Sequence, residues 1–111
     1  MADVDITQDT PVLDTLTAIT AVSLEKCDLS PRDLMISRIA ALAAVGAPPA
    51  SYLMNVGPAT ELGVSPEEVQ AILVAVAPII GTPRTVAAAG NIMRALGLAI
   101  LMTDGLDDED A

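Results

Sequence analysis

The chain contains no histidine, no phenylalanine and no tryptophan, and a single cysteine, Cys27. Each gap excludes something. Without histidine there is no imidazole base to activate a serine or a water, and no imidazole metal ligand. One cysteine can form neither an internal disulfide nor a cysteine-rich metal cluster. Tyr52 is the lone aromatic, so base-stacking platforms are missing, and five basic residues in 111 leave no basic stripe for nucleic acid. Strand-like alternation is also absent, and no repeat is evident.

Small aliphatic residues dominate what remains. About half the chain is apolar, 52% by count, mostly Ala, Leu, Val and Ile. A core of small side chains requires close helix–helix approach and leaves apolar surface over, which points to burial between subunits. A membrane span is the competing explanation. The longest uncharged run, between Arg38 and Glu61, is broken by Gly46, Pro48, Pro49, Gly57 and Pro58, and the run after Glu68 by Pro78 and Gly81. These breaks argue against a span. The opening "MADVDITQDT" is acidic and polar, unlike a signal peptide. A reducing cytoplasm is the expected location.

Charge divides the chain into a body and two tails. The net charge is −10, and eight of the fifteen acids lie in residues 1–9 and 104–111, where there is no base. Residues 10–103 are close to neutral and form the expected helical domain. The tails are expected to be solvated and to hold a greasy body in solution. The C-terminal "DGLDDEDA" lacks the ligand spacing of a calcium loop, so no metal or other cofactor is expected.

Helix starts are marked by hydroxyl–proline pairs: Thr10-Pro11, Ser30-Pro31, Ser65-Pro66 and Thr82-Pro83. The hydroxyl caps the first turn, and proline at the first helical position has no helical N–H to lose. Ser65-Pro66-Glu67-Glu68 is a full capping box. The spacing predicts five helices: Pro11 to Glu25, Pro31 to Val45, Pro48 to Leu62, Pro66 to Ile80 and Pro83 to Met102. Gly46, Gly63 and Gly81 are their stops, and Pro58 is an interior kink. Leu13, Leu16, Ile19 and Val22 make one apolar stripe. Met35, Ile39, Leu42 and Ala43 make another, and Val69, Ile72, Leu73 and Val76 a third. On the last helix, Ala87, Gly90, Arg94, Gly97 and Leu101 recur at steps that let a second helix come close. The class is all-α with short connections.

The order of these pieces resembles the carboxymuconolactone decarboxylase and alkylhydroperoxidase D-like family. "LSPRDLMISRIAALAAVG" looks like the family's helix before the active site. "ATELGVSPEEVQAIL" is similar to its hinge and following helix, and "IIGTPRTVAAAGNIMRAL" to its last helix start. The resemblance covers roughly residues 12–100. It implies a bundle of five to six helices assembled as a trimer or hexamer. It also implies, in redox members, a Cys-x-x-Cys-x-x-x-His motif with a glutamate twelve residues upstream. Counting back from Gly63, the two cysteine positions fall on Pro48 and Ser51, the histidine on Asn55 and the glutamate on Ile36. The charged and histidine residues of the decarboxylase branch are absent from the same stretch.

Two functional classes stay open. In the first the chain is a non-redox pseudo-enzyme with a structural, assembly or small-ligand-binding role, its partners being copies of itself and a small apolar ligand. In the second it is a family enzyme, peroxidase-like or decarboxylase/lactone-type, working through a non-standard set around Ser51 and Asn55. No catalytic residue is assigned. The ligand-binding candidates are Ser51, Tyr52, Asn55, Arg38 and Arg84. Arg38 is expected to answer Glu61 or Glu68, Arg84 to tie two helices, and Cys27 to be structural.

Overall fold

The computed structural model describes residues 10–110, and side chains for residues 10–55, 58–98 and 100. Helices account for nearly all of it: α1 Pro11–Lys26, α2 Pro31–Val45, α3 Pro49–Glu61, α4 Pro66–Ile80 and α5 Thr82–Asp110. The four boundary sites differ in how they work. At Ser65 both halves of the capping box form, with the Glu68 N–H donating to Ser65 Oγ at 3.1 Å and the Ser65 N–H to the Glu68 carboxylate at 3.3 Å. Ser30 accepts from the Asp33 N–H at 3.1 Å. Thr10 makes no cap bond; its hydroxyl turns to the Asp14 carboxylate instead. Helix α5 starts at Thr82 itself, so Pro83 is its second residue and Gly81 precedes the first turn. Pro48 likewise stands one residue ahead of the expected position, as the cap of α3, with Pro49 first in the helix.

Stops follow glycine. Gly46 ends α2 at φ 73, ψ 42, a left-handed conformation that costs a residue with a Cβ about 1 kcal/mol or more. Pro58 lies inside α3 as expected, and α4 holds Pro78 three residues from its start of exit at Gly81. The fifth helix runs past the expected end at Met102 to Asp110. No proline follows Pro83, so no residue there removes a helical N–H. Residues 1–9 lie outside the described residues, as do the side chains of 104–111, so the two acidic tails are placed no further.

Helices α2 and α5 form the middle of the bundle. Each packs on the other and on both α3 and α4, whereas α3 and α4 do not pack on each other. The core is correspondingly small-residued. One cluster gathers Ala43 and Ala47, Tyr52, Leu73, and Ala88, Ile92 and Ala95. The second gathers Met35 and Ile39, Ala59, Val64 and Ile72. Ala43 on α2 and Ala95 on α5 are wholly buried in the first of these clusters, where a longer side chain would have no free space. The buried face of α5 is therefore Ala88–Ile92–Ala95, not the stripe through Gly90 and Gly97. Helix α1 stands apart: none of its residues is buried.

Caps that bond and caps that do not should separate in equilibrium unfolding. Ser65→Ala removes a formed capping box and is expected to cost about 1 kcal/mol, while Thr10→Ala should change stability by no more than a few tenths. Equal effects in urea titrations would contradict the capping geometry.

Candidate functional site

Because α3 and α4 do not meet, a gap lies between them, with α2 and α5 behind it. It forms a cavity of about 200 Å³, open on one side. Its walls are mainly apolar: Ile39, Val69, Leu73, Ile92 and Leu96, with Thr60, Gln70 and Tyr52 the polar contributors. Short side chains at Ala59 and Ala89 leave the space unfilled. The cavity can hold a small apolar body and carries no carboxylate, ammonium or thiol on its wall.

Tyr52 is the polar oddity. It is 2% exposed, yet its hydroxyl has no hydrogen-bond partner. Burial without a partner disfavours the phenolate, so the hydroxyl is held above its ordinary pKa of 10.0. Such a group is a cost to the fold unless something supplies a bond.

The other candidates go elsewhere. The Asn55 amide donates to the Ser51 backbone carbonyl at 2.8 Å, one turn back along α3, and neither residue lines the cavity. Arg38 does not answer Glu61 or Glu68; its guanidinium donates to Ser23 Oγ on α1 at 3.2 Å. Glu68 pairs with Arg32 instead, and Arg32 also donates to the Gly63 carbonyl at 3.0 Å. Arg32 begins the turn that faces the α3–α4 hinge, whereas Arg38 lies nearly two turns further along, which explains the exchange. Arg84 is an interhelical tie, donating to the Ala44 carbonyl near the end of α2. Asn91 does the same two turns on along α5, donating to the Ala47 carbonyl at 3.1 Å. The sequence reading passed over Asn91; a lone amide amid apolar residues on a helix was the available signal. Cys27 follows α1, its N–H bonded to the Ser23 carbonyl, half-buried and apart from the cavity lining.

The four positions that the resemblance matches to a redox motif make these local contacts. Ile36 packs against the second core cluster. Pro48 caps α3. The Asn55 amide donates to the Ser51 backbone carbonyl. Among the described residues no group of three or more Cys, Asp or Glu side chains could hold a metal ion, and no helix is long and apolar enough to cross a membrane.

Residues 11–92 match the family model described as "Carboxymuconolactone decarboxylase family". No curated protein and no solved structure matches.

Removing the orphaned hydroxyl should stabilise the fold. Tyr52→Phe is expected to raise unfolding stability by about 1 kcal/mol. The pH dependence has a definite sign. A raised folded-state pKa means the native chain holds the proton longer than the unfolded one, so this contribution is intact below pH 10 and lost as pH climbs through the folded value. Native protein should lose melting temperature above pH 10, and Tyr52→Phe should lose less. Identical alkaline limbs would show that the hydroxyl is solvated.

Proposed function

Since the chain belongs to the carboxymuconolactone decarboxylase family but carries Ile36, Pro48, Ser51 and Asn55 where its redox members carry their motif, we propose that it is a non-redox member: a homo-oligomer whose protomers hold a small apolar molecule in the α3–α4 cavity. The observation that carries this reading is the cavity wall. It is mainly apolar, it has room for a ligand, and among the described residues it presents no carboxylate, amine or thiol, its polar groups being the Thr60 and Tyr52 hydroxyls and the Gln70 amide with no charged base beside them. Acyl, peroxide and decarboxylation chemistry all require an activated nucleophile or a base near the reacting atoms. A family enzyme built around Ser51 and Asn55 would need a base that these residues do not offer, since the Asn55 amide is spent on the Ser51 carbonyl. Assembly is supported by large apolar side chains left uncovered on the protomer, among them Met54, Val74, Ile79 and Val86. A trimer or hexamer is the stoichiometry proposed.

Two measurements test the reading. In a thiol-dependent peroxide-consumption assay, native protein and Cys27→Ser should both stay at background. Turnover lost in Cys27→Ser would make that thiol the nucleophile and overturn the non-redox reading. In buffer saturated with benzene, the melting temperature should rise by a few degrees, and Thr60→Phe, which places a ring at the cavity, should abolish the rise. No shift in native protein would overturn the ligand-holding role.

A further inference from the structure

Helix α1 is an apolar surface without a cover. Val12, Leu13, Leu16, Ile19, Val22 and Leu24 are each between 48% and 70% exposed. At 3.6 residues per turn they spread over about 200° of the helix circumference, more than one flat contact hides and enough for a groove. Thr15, Thr17 and Thr20 add to the β-branched residues of the helix, and two of these hydroxyls bond back to carbonyls of the previous turn. A helix of this length and composition is marginal alone in water. Its own bundle gives it a single side-chain hydrogen bond among the described residues, Arg38 to Ser23.

Helix α5 offers a matching surface. Val86, Gly90, Met93, Gly97 and Ile100 follow at alternating four- and three-residue steps, on the side turned away from Ala88 and Ala95. Val86, Met93 and Ile100 are mostly exposed. A Cβ built at Gly90 or Gly97 would meet nothing within 4 Å. Nothing inside the protomer therefore calls for glycine at either place, although glycine inside a helix is unfavourable relative to alanine. Large residues alternating with bare backbone make a seam on which a second helix lies close. The lengths also agree. Sixteen residues of α1 span about 24 Å, and Val86 to Ile100 about 21 Å. The seam includes Met93, which is also a cavity-lining residue.

We infer that α1 of one copy lies along the Val86–Ile100 seam of a second copy and roofs the open side of its α3–α4 cavity. The inference rests on the homo-oligomer reading above and names its contact. The occupant is a second copy because this chain supplies both halves of the fit. Six side chains of this size bury roughly 500 Å² on one side. Where two copies exchange helices reciprocally, each gives one and receives one from the same partner, which brings that pair to the order of the 800 Å² per partner of stable interfaces, whereas a ring leaves each contact at about 500 Å². The contact joins two different patches, so closure makes a ring or a reciprocal exchange.

The test uses full-length protein in a Cys27→Ser background. Leu16→Cys protein is mixed with Met93→Cys protein, allowed to exchange subunits and oxidised. A disulfide-linked band of twice the protomer mass is expected from the mixture and from neither variant alone. A linked band from Leu16→Cys alone would place α1 against α1, and no band from the mixture would remove α1 from the seam; either overturns the inference. Gly90→Leu/Gly97→Leu should weaken association at least tenfold by light scattering while far-ultraviolet circular dichroism keeps its helical signal. Ile19→Asp should do the same, since α1 contributes no residue to the core. Variants that keep the native mass would overturn the α1 contact and leave the homo-oligomer reading standing. A native chain that runs as an 11.3 kDa monomer would overturn both.

Discussion

The packing of both α3 and α4 against the same two helices, α2 and α5, is the constraint on which the rest of the molecule depends. Ala43 on α2 and Ala95 on α5 are fully buried in one cluster, where a longer side chain would have no free space. With no phenylalanine or tryptophan in the chain, no large ring wedges the bundle open, and Tyr52 is the one exception that the core absorbs. The ties from Arg84 and Asn91 to carbonyls around the end of α2 hold the same pair in register. These two bonds also satisfy backbone groups that the end of α2 leaves open.

Helices α3 and α4 each pack on α2 and on α5, and among the described residues they do not pack on each other. The cavity follows from this arrangement and not from any one residue. Large side chains on the inner faces of α3 and α4 would close it, but those positions hold Ala59, Thr60, Val69 and Gln70. A small-residue core therefore does two things at once. It permits the shared packing on α2 and α5, and it leaves a gap between α3 and α4. The unpaired Tyr52 hydroxyl belongs to the same economy of side chains, because its neighbours in the cluster are aliphatic and offer no acceptor.

Much of this was legible in the sequence because the boundaries are chemical. Ser65-Pro66-Glu67-Glu68 and the glycines at 46, 63 and 81 act within a few residues of themselves, so no tertiary knowledge is needed to place them. The inner faces of α2 and α4 were legible for the same reason, through apolar spacing. The last helix was harder. Small residues recur on two of its faces, and periodicity cannot tell which one the protomer buries and which it leaves out. The ion pairs were harder still. Arg32 and Arg38 are both candidates for Glu68 by sequence, and the choice between them depends on where the α3–α4 hinge falls relative to the first turn of α2. The cavity was not legible at all, since a space between two helices that fail to meet leaves no mark on either one. Tyr52 was picked out only for being the sole aromatic, and its lack of a partner is a fact of the packing.

The stretch that the family resemblance matches to a redox motif opens α3 with local structural chemistry. A Cys-x-x-Cys-x-x-x-His stretch would open α3, and here the same turn is opened by proline. Pro49 has φ near the helical value already, so the turn is preorganised by covalent geometry. The Asn55 amide bonds back to the Ser51 carbonyl within the helix. Ile36 gives the second core cluster an apolar contact where a glutamate would have brought a charge to be paired or hydrated. Pro48 and Pro49, Asn55 and Ile36 serve helix start, helix closure and core packing respectively. A site assembled for chemistry would pull the other way, toward a strained turn and a perturbed acid or base. The local choices in this stretch agree with one another and with the bundle, which is what a purely structural α3 requires.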